Sequence, residues 1–198
     1  MNLIGLGKLG CEVATALKQH PQYKVYQIGI GLQGLKKDGY FNFPEFKKPE
    51  DYEAKCPSVK NFLKSVSGDT VLIVSGAELI SAASLRIIET IKAKAKVSIL
   101  YYKEDASPLD KTRKYMDKIA FSVFQEYARS GACNRAYLVS QKALSSLIGD
   151  VPVLEFRMKT ISTLASMFHM INVLQRDEPV YHNYSDPLEV ARIATLGV

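Results

Sequence analysis

Blocks of apolar residues alternate along the chain with segments whose apolar positions recur at helical spacing. The blocks predict buried strands at residues 3–5, 23–31, 68–76, 96–102 and 135–140. Helical spacing predicts helices over residues 12–20, 79–95, 111–130, 141–147 and 153–175, and a short helix that starts at Ser58. This alternation predicts an α/β fold, a Rossmann-like, mostly parallel sheet with helices on both faces.

Two stretches fall outside this alternation. Residues 31–57 are rich in glycine, proline, lysine and aromatic residues without a clear period, which predicts a long surface excursion. Its segment "KKDGYFNFPEFKKPEDY" fits either a nucleic-acid or protein partner or a surface loop whose aromatic side chains pack inward. Residues 176–198 form a tail that is predicted to contain one more short helix.

Composition narrows the class of protein. At 198 residues and 47% hydrophobic content, residues 1–198 are expected to form a single domain, with 153–175 as its central helix. No apolar run approaches a membrane span and no secretion signal is visible, so a soluble, cytoplasmic protein is expected. The three cysteines lack the spacing of a metal site. The net charge of +6 is scattered among acids, which favours a solvated surface over a nucleic-acid partner.

The first predicted strand runs into a glycine-rich loop, "GLGKLG". Gly5, Gly7 and Gly10 can let a helix amino terminus approach a phosphate, or they can serve a tight turn that needs glycine only for packing. NAD is disfavoured because the first acid after the second strand is Asp38, which follows Lys36 and Lys37. These lysines keep an NADP-dependent oxidoreductase as an alternative.

The later segments resemble the nucleotide-binding domain of the tubulin and FtsZ family. The order of elements is similar over nearly the whole chain, and "LDKTRKYMDKIAFSVFQEYARSGACNRAYLVSQKAL" is similar to a family segment in length and helix register. The resemblance implies GTP or GDP binding with Mg²⁺ and self-assembly as a cytoskeletal element, with itself or a related protein as partner. It implies these nucleotide-binding residues: Gly5, Gly7, Lys8, Gly10, Cys11, Gly76, Asp110 and Lys114.

Three features depart from that family. Where its second glycine-rich phosphate loop is expected, the chain reads "SGAELISAASL", whose side chains would block close approach of a phosphate. Lys159 and Thr160 stand near the position of the family's base-reading asparagine. The family's second lobe also has no counterpart in the sequence. The alternative is therefore the same fold without nucleotide binding, acting as an interaction module or filament regulator.

The tail contains "NYSDPLEVAR", in which Asp186 and Glu189 have the spacing of acids in the family's hydrolytic loop. The resemblance implies that they polarise water for GTP hydrolysis in a neighbouring subunit, which would make the chain a GTPase. The alternative is a capping box, with Asp186 as the N-cap, Pro187 at the first helical position and Glu189 at the third.

Overall fold

A computed structural model describes residues 1–31, 39–105, 110–176 and 191–196. Seven parallel strands form one sheet in the order β3-β2-β1-β4-β5-β6-β7. The strands are β1 (Asn2–Leu6), β2 (Lys24–Gly29), β3 (Tyr40–Asn42), β4 (Gly68–Ser75), β5 (Ala95–Lys103), β6 (Arg135–Ser140) and β7 (Ile193–Thr195). The predicted parallel α/β sheet is confirmed.

Within the described ranges, six α-helices cover the two faces of the sheet. They are α1 (Gly7–Leu17), α2 (Pro49–Ala54), α3 (Ser84–Ile91), α4 (Lys111–Arg129), α5 (Gln141–Ile148) and α6 (Val153–Leu174), and a 3₁₀ helix at Leu79–Ala83 precedes α3. One core cluster packs α1, α5 and α6 on one face, and a second packs α2, α3 and α4 on the other. The sheet is thus buried on both sides, which explains its continuous apolar strands.

Four predicted elements differ from the structure. The first helix begins at Gly7 instead of residue 12, so the glycine loop is itself the first turn of α1. The short helix from Ser58 is replaced by turns, in which Leu63 N–H donates to the Val59 carbonyl and Val66 N–H to the Leu63 carbonyl. The helix predicted over residues 79–95 is a 3₁₀ helix followed by α3, and residue 95 already belongs to β5. The tail was predicted to end in a short helix, but its described part, residues 191–196, contains β7, which pairs with β6; residues 177–190 of the tail lie outside the described residues.

The excursion at residues 31–57 contains structure that periodicity did not predict. Within its described part, β3 extends the sheet and α2 packs below it. Phe43 and Tyr52 are each only 1% exposed and stack with ring centroids 5.8 Å apart. These aromatic side chains pack inward, as the surface-loop interpretation of this segment expected. No helix in the described part of the chain is long and apolar enough to cross a bilayer.

The strand order places a crevice between β1 and β4. From β1 the chain proceeds outward to β2 and β3, then returns to β4 on the other side of β1. Ligands of parallel α/β sheets bind where connections diverge in this way, beyond the carboxyl ends of the strands. The glycine loop after β1 and the loop after β4 meet at this point.

Candidate functional site

The first turn of α1 presents backbone N–H groups that have no partner within the helix. Gly7 begins the turn with φ of +79°, a left-handed conformation that favours glycine. The N–H of Lys8 donates to Oε2 of Glu78 at 2.7 Å, and the N–H of Leu9 donates to Oε1 at 2.9 Å. One carboxylate therefore occupies the amino terminus of α1, where the helix dipole stabilises an anion.

Glu78 reaches this position from the loop after β4. Burial raises the pKa of its carboxyl group above the usual range, and the charge of Glu104 raises it further. The hydrogen bonds from Leu9 and Lys8 and the charge of Arg157 act in the opposite direction. The contact with α1 thus offsets part of the cost of burying this charge.

Glu78 lies between two cavities. One, of about 490 Å³, extends toward the end of β2 and is lined by residues that include Cys11 and Tyr40. The other, of about 200 Å³, lies between α1 and α6 and is lined by Glu104, Arg157 and Phe156 among others. Because Glu78 lines both cavities, its side chain separates them.

The charged groups around the smaller cavity are already engaged. Arg157 pairs with Glu12 at 2.6 Å between Nη2 and Oε2. Glu104 accepts a hydrogen bond from the Ser75 hydroxyl at 2.6 Å. Among the described residues, no ion pair within 4 Å involves Glu78 or Glu104. The cavity therefore holds carboxylates where the bound phosphates of a nucleotide need positive charge.

The glycines predicted to bind nucleotide lie together at the crevice, with packing roles of their own. A Cβ atom at Gly5 would overlap the carbonyl oxygen of Gly10, and one at Gly10 would overlap that of Ile73. Their absence lets α1 lie directly against β1 and β4. Gly76 lies against the Tyr101 hydroxyl, which donates to Asp117 Oδ1 at 2.6 Å.

The two predicted residues between these glycines differ in environment. Lys8 is exposed at the start of α1. Cys11 is buried, with Sγ 3.5 Å from the carbonyl oxygens of Gly5 and Ile28. Burial, followed by the charge of Glu78, raises the pKa of the Cys11 thiol to about 12. The thiol is therefore protonated and unreactive at neutral pH.

The structure places Asp110 and Lys114 on the exposed first turn of α4. Asp110 is the N-cap of this helix, and its side chain accepts the N–H of Arg113 at 2.8 Å. Neither residue is among the described residues that line the two cavities meeting at Glu78. Thr160 does line the smaller cavity, but its hydroxyl donates to the Phe156 carbonyl in its own helix at 2.8 Å.

The remaining predicted residues lie outside the described part of the chain. They are Asp186 and Glu189 of the proposed hydrolytic loop, and Lys36, Lys37 and Asp38 of the NADP alternative. Their roles stay predictions. Within the described ranges, no group of three or more His, Cys, Asp or Glu side chains is placed to hold a metal ion.

A nucleotide phosphate does not fit at the α1 terminus with Glu78 in this position. The N–H groups that it would need already donate to the carboxylate at 2.7 and 2.9 Å.

No protein-family model and no curated protein sequence matches the chain. Solved structures do match it. CetZ2 from Haloferax volcanii, described as a GTPγS-bound protofilament, has TM-score 0.64 and 12% identity, covering 91% of this chain and 60% of its own. An FtsZ dimer from M. jannaschii, described as empty, has TM-score 0.65 and 11% identity, covering 91% of this chain and 56% of its own.

The fold is that of the tubulin and FtsZ family. At 11% and 12% identity the likeness establishes the tubulin/FtsZ fold alone. The chain also spans less than two thirds of each of these structures. Within the tubulin/FtsZ fold, the crevice between β1 and β4 is therefore interpreted from this chain's own residues.

Glu78 is the residue of the candidate site that sequence reasoning missed. The sequence did indicate that side chains in "SGAELISAASL" would crowd a phosphate. The stronger signal was the type of residue: an acid two positions after Gly76, beyond a buried strand next to the glycine loop. Only the strand order shows that this acid faces α1.

Proposed function

We propose that this chain is a self-associating protein of the tubulin/FtsZ fold that uses no guanine nucleotide. The observation that carries the proposal is the pair of hydrogen bonds from Lys8 and Leu9 to Glu78. In this proposal the Glu78 carboxylate replaces a bound phosphate as the anion at the α1 terminus and holds the loop after β4 in place.

A built-in carboxylate has a specific advantage over a bound ligand. It is present at an effective concentration that does not depend on cellular nucleotide, so the crevice keeps one conformation. Self-association of the protein that depends on the shape of the crevice is then independent of which nucleotide is present. This is the physical difference from a switch that alternates between nucleotide-bound forms.

An apolar surface next to the crevice supports self-association. Val153 and Leu154 at the start of α6 are 90% and 95% exposed, and Met158 on the same helix and Leu147 near the end of α5 are exposed as well. We call these four residues the apolar shoulder. Leu154 and Met158 are four residues apart on α6 and so share one face, and contiguous exposed apolar surface is typical of interaction sites. A second copy is the proposed occupant, because the two matching structures are described as a protofilament and a dimer.

Thermal unfolding with nucleotides tests the first half of the proposal. A ligand that binds only the folded state raises the Tm by mass action. We expect GTP and GDP, each with Mg²⁺, to give no shift beyond that produced by ATP and tripolyphosphate at equal concentration. A larger rise with GTP or GDP would overturn nucleotide independence, and a rise specific to NADP would favour the oxidoreductase.

Analytical ultracentrifugation tests the second half. We expect the average mass to increase with protein concentration to the same extent with and without GTP. Leu154→Ser should weaken this association. Met170→Ser is the matched control, because Met170 is exposed on the same helix away from the apolar shoulder. A monomer at all concentrations, or equal loss in both variants, would contradict self-association through the apolar shoulder.

A further inference from the structure

Another cavity, of about 650 Å³, lies at the amino ends of the strands, away from the crevice. It adjoins the starts of β5 and β6 and is bordered by the turn after α4, the end of α6 and the start of β7. Among the described residues that line it, five are cationic and one, Asp69, carries a carboxylate. The five are Lys92, Lys96, Arg135, Arg176 and Arg192. We call this cavity the basic cleft.

Among the described residues that line the basic cleft, the one carboxylate is already paired. Arg176 pairs with Asp69 at 2.7 Å between Nη2 and Oδ2, and its Nε donates to Asn172 at 3.0 Å. In the part of the chain that the structure describes, no ion pair involves the other four cations. Their charges therefore add to a local positive potential.

Arg135 carries the observation that points to an anion at the basic cleft. Its Nε atom is buried and has no hydrogen-bond partner among the described residues. A buried charged donor without a partner is costly, so such groups generally meet a ligand, an ion or water. Arg192 lies beside this arginine, because Ala136 of β6 pairs with Ile193 of β7 and the N–H of Ala136 donates to the Arg192 carbonyl. Its guanidinium lies against Gly131, and both arginines line the basic cleft.

The chemistry of the lining selects among anions. Guanidinium groups bind phosphate oxygens through paired, charge-assisted hydrogen bonds, and several uncompensated cations favour a multiply charged anion over a single carboxylate. The aromatic residue of the basic cleft, Tyr137, is only 8% exposed, so its ring offers no platform for stacking a base. We propose that the basic cleft binds oligophosphate anions through Arg135 and Arg192 without reading a base.

Thermal unfolding of the full chain with tripolyphosphate at constant ionic strength tests this proposal. We expect the Tm to rise with tripolyphosphate concentration, and ATP and GTP to act alike through their phosphates. Arg135→Gln and Arg192→Gln should each weaken binding by about tenfold or more, the effect of losing a charge-assisted hydrogen bond. Lys96→Gln, at an exposed position, provides a further variant if Arg135→Gln does not fold.

Arg86→Gln is the matched control, because Arg86 is an exposed arginine paired with Glu89 away from the basic cleft. The proposal would be overturned if tripolyphosphate did not raise the Tm of the wild type. It would also be overturned if Arg86→Gln weakened tripolyphosphate binding as much as Arg135→Gln and Arg192→Gln do. If the acids of residues 177–190 neutralise the basic cleft, tripolyphosphate will give no rise. Tighter binding of a single-stranded oligonucleotide through the same arginines would show that the ligand class is wrong. This proposal stands whether or not a nucleotide binds near Glu78, because the basic cleft lies at the amino ends of the strands and Glu78 lies beyond their carboxyl ends.

Discussion

Replacing Glu78 by alanine tests the central contact of the crevice. The change removes the carboxylate that accepts the N–H groups of Lys8 and Leu9. It leaves the positive end of the α1 dipole without an anion, and it detaches the loop after β4 from α1. Glu78→Gln is a subtler variant, because its amide offers one acceptor oxygen but turns an NH₂ group toward the second backbone N–H.

The expected loss follows from these contacts. Each charge-assisted hydrogen bond contributes about 1.5–3 kcal/mol, and an anion at a helix amino terminus adds about 0.3–1 kcal/mol. Burial, which raises the pKa of Glu78, offsets much of this sum, and water can enter from the cavities on both sides. We expect Glu78→Ala to lower the free energy of unfolding by about 2 kcal/mol, or the Tm by about 4–8 °C. Glu78→Gln should lose about half as much.

The assay is thermal and urea unfolding of the wild type, both variants and Glu155→Ala. Glu155 is the matched control, since it is an exposed acid in the first turn of α6. Its loss should cost less than about 0.5 kcal/mol. In addition, sulfate at constant ionic strength should stabilise Glu78→Ala more than the wild type, because the two N–H groups become free to bind an anion. Measurements in the Arg135→Gln background separate this response from the basic cleft.

Two results would refute the reasoning. If Glu78→Ala unfolds at the wild-type temperature, the carboxylate does not hold the α1 terminus in solution. If the variant is destabilised but gains no response to sulfate, the lost contact is not an anion site. In either case the proposed replacement of a phosphate by Glu78 fails.

Three further predictions concern other contacts. Burial and the nearby charge of His20 lower the pKa of His169 in the folded protein. The unfolded chain therefore takes up the proton first, and the free energy of unfolding should decrease as the pH falls below about 6.5. Urea unfolding from pH 5 to 8 should show this decrease in the wild type and less of it in His169→Gln; the same pH dependence in both proteins would contradict it. Gly10→Ala should cost about 1–3 kcal/mol because the new Cβ overlaps the Ile73 carbonyl oxygen, and an unchanged urea midpoint would show that α1 does not pack this closely. GTP turnover should be absent at every protein concentration, whereas concentration-dependent turnover abolished by Asp186→Ala would instead support the hydrolytic role of that residue.

The sequence by itself determined the class of fold. Strand β4 contains the unbroken apolar run 71–74 because both faces of the sheet are covered. The bounds of α4, α5 and α6 lie within one residue of those predicted. These are local properties, since side-chain periodicity follows directly from helix and strand geometry. A local pattern can also mislead. Residues from Ser58 have helical spacing, but in the folded protein the segment forms turns instead of a helix.

Only the tertiary structure decided what the glycine loop contacts. Gly7 and Glu78 are far apart in the chain, and their meeting depends on β4 returning beside β1. The basic cleft likewise joins residues from β4, β5 and β6, from the start of β7, and from the segments that follow α3, α4 and α6. Strand order is fixed by long-range packing, which no local pattern encodes. The sequence could therefore suggest an anion at the start of α1, but the fold showed that the chain supplies that anion itself.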